Sequence, residues 1–205
     1  MTAQFVETIK IKDGKAMLIP LHQARLERTV SHFFPQLAAS AMPHIEDFVK
    51  PTADMTFHKA RVVYGETGVE HVEYAPYSMR RIRSLKAVHD DKIDYSYKST
   101  DRKRLNELRE KRGDCDEIII VRNGLVTDTS FTNLAIFNGF SWLTPRRPLL
   151  AGTKRAWLLQ RGIIREADIT LADLLKAPKV SLFNSMIDFG EMEIFSCNAH
   201  PVLHL

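Results

Sequence analysis

The chain has 205 residues, 44% hydrophobic and 26% charged, the composition of an ordinary globular protein with enough chain to bury a core and leave a cleft beside it. No apolar run approaches the roughly 20 residues of a membrane-spanning helix, and the start Met1-Thr2-Ala3-Gln4-Phe5 has no basic segment followed by an apolar one, so a cytoplasmic protein that avoids the membrane is expected. Cys115 and Cys197 then read as two free thiols, and a net charge of +4, with basic residues scattered among acidic ones, suits an anionic small molecule better than nucleic acid.

In chain order, Phe5 to Ile11 alternates and is rich in β-branched residues, and Asp13-Gly14 turns it into a second strand over Ala16 to Ile19. After Pro20, the residues Leu21, Leu26, Val30, Phe33 and Phe34 space an amphipathic helix over 21–34, and a second helix is expected around 45–49. Strands are expected over 58–64, 69–74 and 82–88. The polar stretch 89–94 reads as a linker, so a smaller N-terminal domain, 1–88, is expected before a larger C-terminal one, 95–205. Past the linker, Ser99, Thr100 or Asp101 caps a helix that runs to about Arg112 and stops at Gly113. Leu105 and Leu108 face inward there, Glu107 and Lys111 form an i,i+4 pair, and Arg102, Lys103 and Arg104 belong to a solvated face. Lys98 precedes the cap and is not explained by that helix. Strand 117–121, turn Asn123-Gly124, strand 133–137 and turn Asn138-Gly139 lead into Trp142-Leu143. Gly152 precedes a helix over 153–160, and a buried strand over 180–183 ends in Asn184-Ser185. Each half mixes strands and helices, which makes the fold class α+β.

Several residues have the chemistry of ligand contacts. Gly152-Thr153-Lys154 opens a helix, whose free N–H groups and positive dipole end suit an anion, and Ser185 offers a hydroxyl at the end of a strand. Asp128 is a lone carboxylate between two strands. Each has a plain alternative: a turn glycine before a helix, or an Asx-turn among Thr and Ser. His22 reads as a packing residue or a support behind a site residue rather than a catalyst, Asn133 as a strand residue that orients the Asp128 segment, and Arg147 and Arg155 as surface charge. Arg61, Tyr64 and Arg81 are candidates for a substrate carboxylate. No metal site is expected.

Order adds what the single residues lack. YKSTDR, VTDTSFTNLAIF, TPRRPLLAGTKRA and LFNSM, in that sequence, resemble the motifs of the fold-type IV pyridoxal-phosphate enzymes, which include the branched-chain and D-amino acid aminotransferases and aminodeoxychorismate lyase. VETIKIKDGKAMLIPLHQARLERT resembles the opening of the same family, and residues 35–57 are the least informative part. The resemblance implies a two-domain fold-type IV architecture with pyridoxal 5'-phosphate between the domains, a homodimer, and a small anionic amino-acid-like substrate. It implies that Lys98 forms the Schiff base and Asp128 pairs with the pyridine nitrogen. Arg25, the main-chain N–H groups of Thr153 and Lys154, and Ser185 would bind the phosphate. Thr8 stands where the lyases have a threonine that helps move a proton, which favours a lyase that gives pyruvate and 4-aminobenzoate. An amino acid aminotransferase of branched-chain or D-amino acid type is the alternative, and a non-catalytic basic binding protein a distant one. The physical requirements agree. A lysine amine must be deprotonated to attack a carbonyl, and a carboxylate beside a ring nitrogen keeps that nitrogen protonated. The chain departs from the family in its short N-terminus, in aspartate where glutamate is usual, and in Lys154 where many members have threonine.

Overall fold

The alternation of the first strand organises the first half of the fold. In the computed structural model, which describes residues 3–195 and 203–204, β1 (Phe5–Lys12) turns through Asp13-Gly14 into a two-residue β2 (Lys15–Ala16). Asp13 and Gly14 take φ of 48° and 70°, the left-handed pair that a tight hairpin turn requires. Along its whole length β1 pairs antiparallel with β3 (Phe57–Gly65), which pairs in turn with β4 (Gly68–Pro76). Phe5, Ile9 and Ile11 of β1 and Ala60, Val62 and Tyr64 of β3 share one core with Leu26 and Val30 of α1 (Ile19–Phe33). The helix starts earlier than the sequence predicts, because Pro20 sits in its first turn, where a missing N–H costs nothing. The second strand therefore ends at Ala16 rather than Ile19. Pro35 likewise opens a further helix, α2 (Pro35–Ser40), which the sequence reading does not anticipate, and α3 (Ile45–Phe48) seats Ile45 in the core.

The rest of the chain forms two sheets. β5 (Leu85–His89) pairs parallel with β6 (Glu117–Arg122), β6 pairs antiparallel with β7 (Leu125–Thr129), and β13 (Leu203–His204) lies on the other side of β5. Ile118, Ile119, Ile120 and Val121 are all buried, so β6 reads as a continuous apolar run rather than an alternating one. Ile118 and Ile120 pack with Leu105 and Leu108 of α4 (Lys103–Glu110). The other sheet contains β8 (Asn133–Phe137), β9 (Trp142–Pro145), β10 (Ile164–Ala167), β11 (Lys179–Phe183) and β12 (Glu193–Phe195), in the order β10-β9-β8-β11-β12. Its helices are α5 (Thr153–Gln160), at the residues the sequence predicts, and α6 (Leu171–Lys176). A reciprocal capping box between Thr170 and Asp173 starts α6.

The chain divides into two compact units, Met1–Met79 with Tyr97–Asp101 and Arg80–Ser96 with Arg102–Leu205. The division differs from the one the sequence suggests. β5 pairs with β6 along its length, so 80–88 belongs with the second unit and the segment 89–94 does not separate the two. Asp90, in that supposed linker, is buried and accepts from Arg104 at 2.7 Å. Residues 97–101 belong to the first unit for a matching reason. The Val6 N–H donates to the Lys98 carbonyl at 2.9 Å, Phe5 bridges to Ser99, and the Thr100 N–H donates to the Gln4 carbonyl at 2.9 Å. The Ser99 and Thr100 hydroxyls also donate to Gln4. They are therefore not helix caps: α4 starts after Arg102 with no side-chain cap. Glu107 accepts from Arg104 instead of Lys111, and Arg102 donates to the Ser130 carbonyl at 2.7 Å. Cys115 is a buried free thiol, and Cys197 lies outside the described residues. No helix among the described residues is long and apolar enough to cross a membrane.

Candidate functional site

Strand alternation puts Glu7 on the same face of β1 as Phe5 and Ile9, where it is fully buried. An unpaired carboxylate there would be costly. One face of α1 supplies its partners, at a spacing of three residues. Arg25 grips it with a fork, Nε to Oε1 at 2.8 Å and Nη2 to Oε2 at 2.6 Å, and His22 Nδ1 lies 2.6 Å from Oε2. Burial pushes the Glu7 carboxyl up, but the Arg25 charge and the hydrogen bonds from His22 and Arg25 outweigh it and hold it at about 2. Burial pushes His22 down, against the pull of Glu7, and the charges of Arg25 and Lys98 push the same way. A neutral His22 then donates from Nδ1 to the carboxylate. His22 is a partner of Glu7 and an electrostatic neighbour of Lys98, the supporting role that the sequence leaves open.

Thr8 follows Glu7 and so points to the opposite face of the sheet, half-buried and in register with Arg61 of β3. Arg61 meets Glu73 at 3.4 Å where both side chains are well solvated, a contact of little energetic weight. Tyr64 lies on the core face and is fully buried, which removes it from the candidates for a substrate carboxylate. Burial, and then the Glu7 charge, keep its phenol protonated. Arg81 is exposed. Lys98 is half-buried on a backbone fixed to β1.

In the second unit, Asp128 lies within β7 rather than in a turn. Its carboxylate accepts from Asn133 Nδ2 at 2.9 Å and from the Leu150 N–H at 2.9 Å, and Asn133 Nδ2 also donates to the Leu150 carbonyl at 2.9 Å. Asn133 thus aims the carboxylate directly. The turn that brings the two together is closed by the Thr129 hydroxyl, which accepts from the Thr132 N–H at 2.9 Å. A Cβ at Gly152 would clash with Asn133 Oδ1, so a larger residue there would displace the amide that aims Asp128. Immediately after it, α5 begins at the buried Thr153 with no side-chain cap, so its first-turn amides emerge at the helix end. The Lys154 side chain turns away to pair with Asp188 and lies 5.2 Å over the Trp157 ring, leaving its main-chain N–H as its contribution to that end. Arg155 is buried, not surface charge: it donates to the Pro145 carbonyl at 2.8 Å and to Glu166 at 2.6 Å, whereas Arg147 is exposed. Asn133 pairs with Phe183 across β8 and β11, which carries Asn184-Ser185 up to the same end of the sheet. Asn184 shapes that loop by accepting from the Met186 and Ile187 N–H groups, and it donates to the Phe131 carbonyl at 3.2 Å. The second unit therefore gathers Asp128, the start of α5 and the half-buried Ser185 at one end of a sheet, while in the first unit Arg25 lies with Glu7 on the core face of β1 and Thr8 points to the opposite face, so the structure does not bring those two side chains together.

The family model described as Amino-transferase class IV matches residues 4–192. The chain belongs to the class IV aminotransferase family. A Haemophilus influenzae protein is 36% identical to this class IV chain over 181 residues, 88% of this chain and 96% of that one. An aminodeoxychorismate lyase of Saccharomyces cerevisiae is 35% identical over 80 residues, 36% of this chain and 21% of the yeast protein. Among solved structures, a candidate 4-amino-4-deoxychorismate lyase of Haemophilus somnus superposes with a TM-score of 0.78 at 34% identity, covering 92% of this chain and 98% of that one. A pyridoxal-phosphate-bound protein of Mycobacterium tuberculosis, described as a hypothetical aminotransferase, shares the fold, with a TM-score of 0.76 at 18% identity, covering 98% of this chain and 84% of that one.

The cofactor of the class IV family is pyridoxal phosphate, and the residues of the second unit fit it. Asp128 has no ion pair among the described residues. Burial pushes its carboxyl up to about 6, against hydrogen bonds from Leu150 and Asn133 and the charge of Arg155. Such a group favours a cationic N–H partner, and an uncapped helix start favours an anion.

The same shift makes a stability prediction. The Asp128 pKa of the folded chain, about 6, lies above the ordinary 3.8, so its contribution to stability is fully present below 3.8 and is lost as pH rises through 6. Glu7, held at about 2 against an ordinary 4.5, acts in the opposite sense at lower pH: its contribution is present above 4.5 and lost as pH falls through 2, so the two windows overlap only between 3.8 and 4.5. Urea unfolding of the cofactor-free protein between pH 4 and 7.5 should therefore show a loss, on the order of 2–3 kcal/mol, that Asp128→Asn lacks. Identical pH slopes in the two proteins would show that Asp128 ionises without penalty.

Proposed function

We propose that this class IV protein is a pyridoxal-phosphate-dependent lyase that splits aminodeoxychorismate into pyruvate and 4-aminobenzoate. The observation that carries the reading is the likeness to the candidate lyase of Haemophilus somnus, 34% identical over 92% of this chain. Thr8 supports it from within the chain, since it places a hydroxyl on the sheet face turned away from the core.

Arg25, the main-chain N–H groups of Thr153 and Lys154, and Ser185 would hold the phosphate. Asp128, aimed by Asn133 and the Leu150 N–H, would hold a proton at the ring nitrogen. When bound, pyridoxal phosphate supplies a cationic conjugated ring that withdraws electrons from the carbon bearing the substrate amine. Lys98 Nζ takes the proton from that carbon, and Thr8 Oγ1 assists the transfer. Loss of the proton from one carbon and of the enolpyruvyl oxygen from its neighbour leaves an aromatic ring, and the enolpyruvate takes up a proton to become pyruvate. Aromatisation drives the elimination, so no amino acceptor is required.

The test gives purified protein aminodeoxychorismate with no keto acid present. Pyruvate and 4-aminobenzoate should form in equal amounts over many turnovers, and Thr8→Val should slow their release by about tenfold or more while leaving cofactor affinity unchanged. Turnover only when an amino acid is paired with a keto acid would replace the lyase with an aminotransferase.

A further inference from the structure

Lys98 is placed by a segment of only five residues, Tyr97–Asp101, that belongs to the first unit while its flanks on both sides belong to the second. On its C-terminal side the segment is fixed by backbone bonds, with the Thr100 N–H on the Gln4 carbonyl and the Val6 N–H on the carbonyl of Lys98 itself. On its N-terminal side the anchor is a ring. Tyr97 stacks on His32 with centroids 4.8 Å apart and planes 13° from parallel, meets Phe33 edge-on at 4.9 Å, and meets Phe5 edge-on at 6.4 Å. His32 and Phe33 come from the last turn of α1 and Phe5 from the start of β1, so three sides of the ring are held by elements already locked into one core. The Ser99 N–H also donates to the Tyr97 carbonyl at 2.8 Å, which closes a tight turn around Lys98.

We propose that Tyr97 is a positioning residue for Lys98: its ring, clamped by His32, Phe33 and Phe5, fixes the backbone from which the lysine amine reaches its target. A lysine has four methylenes between backbone and amine, so a loose backbone spreads the amine over many positions, and misplacement by about 1 Å can cost a hundredfold in reactivity. The hydroxyl takes no part in the clamp, because every contact is made by the ring face or edge. The proposal rests on the reading that Lys98 bonds covalently to pyridoxal phosphate.

The test separates positioning of the lysine from general loss of structure. Pyridoxamine phosphate has the same ring and phosphate but no aldehyde, so its binding does not need Lys98. Tyr97→Ala should bind pyridoxamine phosphate within about twofold of wild type, but should bond covalently to pyridoxal phosphate, measured as pyridoxyl-Lys98 after borohydride reduction, at least about tenfold more slowly. Tyr97→Phe should restore the rate. If Tyr97→Ala does not fold, Tyr97→Leu, which keeps apolar bulk without a stacking face, carries the same expectations. An unchanged rate of capture, or equal losses for the two cofactor forms, overturns the proposal. Wild-type protein that binds pyridoxamine phosphate but captures no pyridoxal phosphate overturns the role of Lys98 and this proposal with it. An intact wild-type reaction with an indifferent Tyr97→Ala overturns the proposal alone.

Discussion

Lys98→Ala should lose turnover by about four orders of magnitude or more. On the proposed mechanism the side chain both holds the cofactor covalently and takes the substrate proton. His22, its electrostatic neighbour, is buried and held against Glu7. The fold should survive, because the residue is fixed through its carbonyl, which accepts from the Val6 N–H whatever the side chain. Pyridoxal phosphate should still bind through its phosphate, now reversibly, and dialysis should remove it. Steady-state product formation with circular dichroism as the control for folding checks both statements. Turnover within about tenfold of wild type would mean that another group is the base.

Asp128→Asn should have the second largest effect, with turnover falling by about 10²–10³-fold while the cofactor stays bound. The phosphate contacts are untouched, but a neutral amide does not hold a proton on the ring nitrogen, and a neutral ring is a poorer electron sink. Both present partners of Asp128, Asn133 Nδ2 and the Leu150 N–H, are donors. The new amide therefore also turns a donor toward one of them, and Asp128→Glu is the useful companion. It restores the charge at one methylene more and should recover part of the activity. Near wild-type turnover in Asp128→Asn would remove that residue from the mechanism.

Local patterns were legible where local physics decides. The glycine at 152 and the apolar spacing after it give α5 at the predicted residues, and alternation gives β1 and most of β3. Asn133 could be read as the residue that orients Asp128 because the two are five apart across one turn. The place of Lys98 could not. Its segment bonds to Gln4 and Val6, more than ninety positions away in the chain, and the Ser-Thr-Asp run that looks like a helix cap is used for those long-range bonds instead. The division into compact units likewise differs from the polar stretch 89–94, because parallel pairing of β5 with β6 leaves no mark in those residues. Glu7 is the instructive miss. An acid in phase with Phe5, Ile9 and Ile11 has to be buried, and a buried acid needs a cation. Arg25 and His22 of α1 supply the partners, and only the packing of α1 on β1 brings them there.

Borohydride reduction of wild-type protein saturated with pyridoxal phosphate, followed by peptide mass mapping, tests the site most directly. The expected result is a single pyridoxyl group per chain, carried by Lys98. A pyridoxyl group on another lysine, such as Lys154, or none at all on saturated protein, would contradict it.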